Sequence, residues 1–236
     1  MNIALLLAGG NGKRTEQDVP KQFFSVFEKP VIIHTMWAFQ KHPDIDKIVV
    51  SCLKGWEDIL QAYAREEKIN KLCHIVTGGE NGQDSTRIGL ESMKEICSPK
   101  DIVVIHDAVR PMVSQDIISD CIATCREYGS GLAAMRCHET IMESIDGVCG
   151  KTGISRSSIM RVQTPQAYIF GKVLQIHEEA VRQGITNSVY TNTLMMEFGE
   201  TLYFSKGSEK NLKITTMEDV EIFKALYKVR KEEWVK

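Results

Sequence analysis

Leu7-Ala8-Gly9-Gly10-Asn11-Gly12-Lys13-Arg14 closes an apolar run, and Pro20-Lys21-Gln22-Phe23 follows a few positions later. Glycines at such a turn let backbone N–H groups face a ligand with no Cβ in the way. Lys13, Arg14 and Lys21 add three cations within nine residues, and amides with cations together make a cradle for a triphosphate. The spacing is not that of a Walker A loop, which needs GK[ST] after four spacer residues, nor is it a clean GxGxxG. Asp107 follows a second apolar run, Asp101-Ile-Val-Val-Ile-His106. A carboxylate beside a triphosphate calls for a metal ion between them, and Mg²⁺ takes one or two carboxylates plus phosphate oxygens. Asp107 is therefore the candidate metal ligand; the alternative is a turn cap or a partner for Arg110. His106 reads as a packed strand-end residue.

These groups need elements to carry them. The apolar run 3–8, ended by two glycines, predicts a strand buried on both faces. Pro30 suits the first turn of a helix over 31–41. Strands follow at 47–52 and 74–77, with a helix over 56–67 between them. Asp84 or Ser85 is the expected cap of a helix running to about residue 96. The pattern continues with a strand over 101–106, a helix over 115–128 and a strand over 131–135. Regular alternation stops over 139–161, where short β-like pieces surround Asp146-Gly147, a hairpin turn signal. That stretch is expected to be an inserted arm. Helices over 171–183 and 193–198, strands over 202–205 and 212–214, and a final helix from 217 to about 231 complete the chain. Thr216-Met-Glu-Asp219 is the capping box of that last helix. Alternating β and α units imply an α/β fold, a Rossmann-like doubly wound and mostly parallel sheet in one domain, with ligands at the carboxyl ends of its strands.

Bulk properties narrow the classes. The formal net charge is −2, so no global basic field draws the chain to nucleic acid or to an anionic membrane. The first apolar run is too short for a membrane span or a signal-peptide core, and its positive charges follow it instead of preceding it. The seven cysteines are odd in number and lack CxxC spacing, which suggests reduced, buried thiols in a cytoplasmic protein.

The motif pair LAGGNGKR and PKQF resembles the signature of the cytidylyltransferases acting on methylerythritol phosphate and ribitol phosphate. Four later segments agree in order: Gly78-Gly79 with Ser85, His106-Asp107-Ala108-Val109-Arg110-Pro111, Gln163-Thr164-Pro165-Gln166, and Asn211-Leu212-Lys213-Ile214-Thr215-Thr216. The resemblance spans about residues 3–225. It implies that Arg14, Lys21 and Lys213 stabilise charge on the reacting phosphates, with Mg²⁺ at Asp107. Ala8, Gly9, Gly10, Gly12, Lys13, Gly79, Glu80 and Ser85 would surround the nucleotide. Arg110, Thr140, Arg156 and Thr191 would face the polyol phosphate, and the arm would cross to a second subunit of a homodimer. On the residues alone, Lys213 could also be a solvated edge-strand charge, Arg110 a salt-bridge partner, and the 163–166 segment a structural turn.

Three positions depart from the family pattern: Gly82 for arginine, Glu80 for aspartate, and Thr191-Asn192-Thr193 where methylerythritol phosphate enzymes carry acids. The wording of 140–144 and 211–216 leans towards the ribitol phosphate branch. The expected reaction is transfer of CMP from CTP to a polyol phosphate, with methylerythritol phosphate and isoprenoid synthesis as the alternative. A sugar-1-phosphate nucleotidyltransferase and an inactive nucleotide-binding scaffold are remoter readings.

Overall fold

Every position from Ile3 to Leu7 is apolar, so the segment is stable only when covered on both sides. The computed structural model, which describes residues 1–10, 19–188 and 190–232, places it at the centre of the sheet as β1 (Asn2–Ala8). Ala4 and Leu6 pack into one core with residues such as Ile32, Met36, Val50 and Ile118. Ile3 and Leu5 pack into the other with Val49, Leu90, Tyr168 and Val173.

A 3₁₀ turn (Lys21–Phe23) and the short strands β2 (Ser25–Val26) and β3 (Lys29–Pro30) lead into α1 (Val31–Lys41). Then come β4 (Lys47–Cys52), α2 (Glu57–Glu66), β5 (Leu72–Thr77), α3 (Gly82–Glu91), β6 (Ile102–Asp107), α4 (Gln115–Tyr128) and β7 (Ser130–Arg136). The arm contributes β8 (Ile141–Glu143) and β9 (Thr152–Ile154), paired as an antiparallel hairpin. The chain returns through β10 (Met160–Ile169), α5 (Phe170–Arg182), α6 (Thr191–Glu197), β11 (Phe204–Lys206) and α7 (Met217–Glu232).

Among the described residues, seven strands form the main sheet in the order β11-β7-β10-β6-β1-β4-β5. β1 is parallel to β4 and β6, β4 to β5, and β11 to β7, whereas β10 runs against both β6 and β7. The doubly wound, mostly parallel expectation therefore stands. A third cluster, with Val26, Val31, Val109, Ile214, Val220 and Phe223, seats α7 beside the loop after β6.

The structure corrects several expectations. β10 is an interior strand, where no element is expected beyond the short β-like pieces that end at about residue 161. Proline there argues for an edge or a break, and the ladder with β7 does shift register between Val162 and Gln166. Residues 212–214 form no strand; Ile214 N donates to Val109 O at 2.9 Å and the segment is otherwise irregular. The cap of α3 is Asn81, whose side chain accepts from Asp84 N, and that helix ends at Glu91. Asp84 instead binds Arg87 and accepts from Glu80 N. The seven thiols are free, yet Cys73 and Cys149 are exposed. The capping box forms, with Asp219 accepting from Thr216 N at 2.8 Å and Asp219 N donating to Thr216 Oγ1 at 3.4 Å.

Candidate active site

Pairing in the parallel sheet aligns the carboxyl ends of four strands. Leu7 lies opposite Asp107 and Ala8 opposite Cys52, while Cys52 lies opposite Thr77. The loops leaving β1, β5 and β6 therefore open on one edge, where ligands bind in such sheets.

At the first of these loops, Gln22 is buried and its Nε2 donates to Ala8 O at 2.8 Å and to Gly10 O at 2.9 Å. Gln22 thereby ties the Lys21 turn to the glycine strip. Asn11, Gly12, Lys13 and Arg14 lie outside the described residues. At the second loop, Gly78 N donates to Cys52 O at 2.6 Å, and Gly79 N donates to Ser85 Oγ at 3.1 Å. A Cβ on Gly9 would stand 2.9 Å from Ser85 Oγ, and one on Gly79 only 1.9 Å from Asp84 Oδ2. The Gly9 contact brings the first loop against the second, whereas the contact at Gly79 lies within the second loop and the first turn of α3 and leaves no room there for a side chain. Gly9, Gly79 and Ser85 come together, with Ala8 preceding Gly9 at the end of β1. Glu80 is exposed at the loop's rim.

At the third loop, Asp107 gathers charge. Its Oδ2 accepts from Arg110 Nε at 2.9 Å and its Oδ1 from Lys213 Nζ at 3.1 Å. Thr164 Oγ1 accepts from Asp107 N at 3.0 Å. The side chains of Asp107, Arg110 and Lys213 are 17%, 12% and 33% exposed. Burial alone would raise the Asp107 carboxyl, but Lys213 and Arg110 outweigh it and hold the group well below the usual carboxylate range. Asp107 is therefore ionised throughout the neutral range. His106 is fully buried, and burial pushes its imidazole down to about 4, so it stays neutral and packs, with Nε2 3.2 Å from Arg110 O.

Arg110 pairs with Asp107 and also donates to Asn211 O at 2.8 Å through Nη1. Thr191 is the buried first residue of α6. Thr140 and Arg156 are exposed on the arm, and Arg156 Nη1 donates to His138 O at 3.1 Å. Among the described residues, no hydrogen bond or ion pair joins Thr140 or Arg156 to Asp107. Sequence reasoning missed Thr164, Gln163 and Asn211 as supports of the site. Their motifs carry the family resemblance, but no local spacing reveals their contacts across the chain.

This arrangement gathers two cations and one ionised carboxylate at the strand ends beside the glycine strip, charges of the kind that engage phosphates. Residues 2–228 match the IspD family, 2-C-methyl-D-erythritol 4-phosphate cytidylyltransferase. A relative called ribitol-5-phosphate cytidylyltransferase, from Lacticaseibacillus paracasei, is 42% identical over 227 residues, covering 95% of this chain and 97% of its own. A 2-C-methyl-D-erythritol 4-phosphate cytidylyltransferase from Clostridium botulinum is 32% identical over 220 residues, covering 93% of this chain and 94% of its own. The crystal structure of 4-diphosphocytidyl-2C-methyl-D-erythritol synthase from Anaerococcus prevotii shares the fold. It matches with a TM-score of 0.81 at 23% identity, over 96% of each chain. With the glycine strip, the Asp107 cluster and the sheet order all in place, the chain belongs to the IspD cytidylyltransferase family and is a CTP-dependent nucleotidyltransferase.

Proposed function

We propose that this cytidylyltransferase uses ribitol 5-phosphate as acceptor, giving CDP-ribitol and pyrophosphate. An oxygen of the acceptor's phosphate attacks the α-phosphorus of CTP, and the bond to the bridging oxygen of the β-phosphate breaks. That nucleophile is already anionic, so no serine, cysteine or strong base is required. The difficulty is repulsion between two polyanions, and catalysis becomes positioning plus charge stabilisation. The observation that carries the reading is the Asp107–Arg110–Lys213 cluster, whose Asp107 lies across the sheet from Leu7, two residues before Gly9.

In this reading Lys21 and Lys213, together with Arg14, meet the charge on the α-phosphate and the departing pyrophosphate. Ala8, Gly9, Gly10, Gly12, Lys13, Gly79, Glu80 and Ser85 surround the nucleotide, where small residues leave room for a pyrimidine. Arg110 and Thr191 face the acceptor. The donor set suits Mg²⁺, which needs one carboxylate when phosphates supply the other oxygens. Among the described residues no cluster of three His, Cys, Asp or Glu forms a closed metal cage. Asp107 would hold the ion, which would neutralise phosphate charge. The arm exposes Met142, Ile145, Val148 and Ile154, a surface suited to a second copy, so the enzyme is read as a homodimer with Thr140 and Arg156 at the shared acceptor site. Among the described residues no helix is long and apolar enough to cross a membrane. The free thiols accord with a cytoplasmic setting.

The ribitol assignment draws on the 42% identical relative and on Asn192 in α6, a neutral side chain accepting from Gln166 Nε2 at 3.4 Å. Methylerythritol phosphate is the second reading, favoured by the family match over residues 2–228. Pyrophosphate release from CTP, UTP, GTP and ATP, each with ribitol, arabinitol, glycerol or methylerythritol phosphate, tests both. CTP with ribitol 5-phosphate is expected to turn over fastest. A faster methylerythritol phosphate reaction would transfer the assignment to the second reading, and a preference for UTP or GTP would defeat both.

A further inference from the structure

Lys213 reaches Asp107 from a segment with no ladder of its own, because residues 207–216 form neither helix nor strand. Two buried carboxamides hold it instead. Gln163 brackets Ser208: its Nε2 donates to Ser208 O at 3.0 Å and its Oε1 accepts from Ser208 N at 3.2 Å. The same Oε1 accepts from Asn211 Nδ2 at 3.1 Å. Asn211, fully buried, also donates through Nδ2 to Thr164 O at 2.8 Å. Thr164 in turn meets both the backbone N–H and the carboxylate of Asp107, at 3.0 and 3.4 Å. Asn211 O accepts from Arg110 Nη1 at 2.8 Å. The contacts form a ring that starts at Asp107, passes through Thr164 and Asn211, and returns two residues later through Lys213.

We propose that Gln163 and Asn211 are positioning residues of the cytidylyl transfer, fixing the loop that carries Lys213 at a set distance from Asp107. The inference rests on the reading of Lys213 as a phosphate-facing cation. The irregularity in β10 makes the clamp available: Gln163 and Thr164 fall where the ladder with β7 changes register, so Thr164 O is open to Asn211. The chemistry of the clamp also fits its place. A carboxamide donates and accepts without adding charge, whereas a third ionised group beside Asp107 would compete for Arg110 or Lys213. Asn211 Oδ1 is buried with no partner among the described residues. An orphaned buried acceptor costs stability, so Asn211 is better explained by what its amide holds than by a gain in stability.

The test compares wild type, Asn211→Ala, Gln163→Leu, Lys213→Ala and the double variant Asn211→Ala/Lys213→Ala. The readouts are kcat and KM for CTP from pyrophosphate release, with melting curves as a folding control. A loop displaced by about an ångström at such a site costs up to about a hundredfold in rate. Asn211→Ala and Gln163→Leu are therefore expected to lower kcat by at least about tenfold. KM for CTP should stay within about threefold, because the clamp acts on the transition state through Lys213. With Lys213 already removed, losing Asn211 should cost less than about twofold more, since residues acting through one another are not additive. Folded single variants with wild-type kcat, or a full additional loss in the double variant, would overturn the clamp. A Lys213→Ala enzyme with near-normal kcat would instead overturn the reading of Lys213. Acylation of lysines in the wild-type protein gives a check independent of folding in the variants. Lys213 should react more slowly than exposed Lys100, and equal rates would mean that nothing holds it.

Discussion

Asp107 accepts from two cations at once, and at the residue scale this sets what each substitution does. Lys213 is the more exposed of the two and, in the proposed reading, the one that exchanges the carboxylate for phosphate; Arg110 is also tied to Asn211. Removing a single stabilising cation from such a site costs on the order of 10²–10³ in turnover. Lys21→Ala and Lys213→Ala are each expected to fall in that range with their melting transitions retained. Losses below fivefold in both, measured by steady-state pyrophosphate release, would reject the assignment. The pH dependence has a definite sign as well. The folded-state pKa of Asp107 is depressed, so its stabilising pairs are complete above the ordinary carboxylate range and are lost only in acid below it. Any change of rate near neutral pH must therefore come from another group, such as the second ionisation of the acceptor's phosphate. Asp107 and Lys213 were legible as candidates because each sits inside a recognisable motif. Thr164 and Asn211 also sit in such motifs, but their supporting roles are not legible: their contacts join positions 47 to 57 residues apart, and no local pattern encodes those distances.

At the scale of elements, α3 links the two halves of the site. Its N-cap Asn81 accepts from Asp84 N at 2.9 Å and donates to Thr186 O at 3.0 Å, while Gln83 Nε2 donates to Ile185 O at 2.6 Å. The loop carrying Gly79 is thereby tied to the segment that leads into Thr191. Asn81→Ala loses a cap, worth about 1 kcal/mol, and the tie to Thr186. It is expected to lower the melting temperature by a few degrees, as expected for about 1 kcal/mol in a chain of this size, and to raise KM for CTP more than it lowers kcat. An unchanged KM would mean that the cap serves the helix alone. Most elements could be read from periodicity: β1, β4, α1 and α4 match their apolar patterns closely. Failures came where a local rule pointed the wrong way. The 163–166 segment could be read as a structural turn, yet it lies within β10, which accommodates Pro165 where the ladder with β7 shifts register. Alternating Leu212 and Ile214 suggested a strand, but Ile214 is buried against α7 and Val109 instead of entering a ladder.

At the scale of the whole molecule, two buried histidines, His106 and His177, couple stability to acidity. His177 on α5 is 1% exposed, and neither ring nitrogen has a hydrogen-bond partner among the described residues. Burial, with Arg87 nearby, pushes its imidazole down to about 4 from 6.5. The unfolded chain therefore binds a proton that the native state refuses, and stability falls as pH drops from about 6.5 towards 4. For this group the loss between pH 7.5 and 5 is about 2 kcal/mol. Denaturant midpoints should record it in wild type. His177→Leu should remove its share of that slope, leaving the share due to His106, with little loss at neutral pH, because two unpaired polar atoms leave the core. An unchanged slope would place the acid sensitivity elsewhere.

The geometry at the root of the arm has a practical consequence for engineering. Arg136 and Met160 are cross-strand partners, and Cys137 N donates to Ile159 O at 3.3 Å. The excursion between them leaves and rejoins the sheet at almost one point, so Asn-Gly in place of residues 138–158 closes β7 and β10 into an ordinary two-residue hairpin. Such a shortened enzyme should fold, keep its affinity for CTP, sediment as a single copy, and lose affinity for the acceptor alone. If it still paired, the contact between copies would lie on the body of the protein; if it kept full acceptor affinity, each subunit would be self-sufficient.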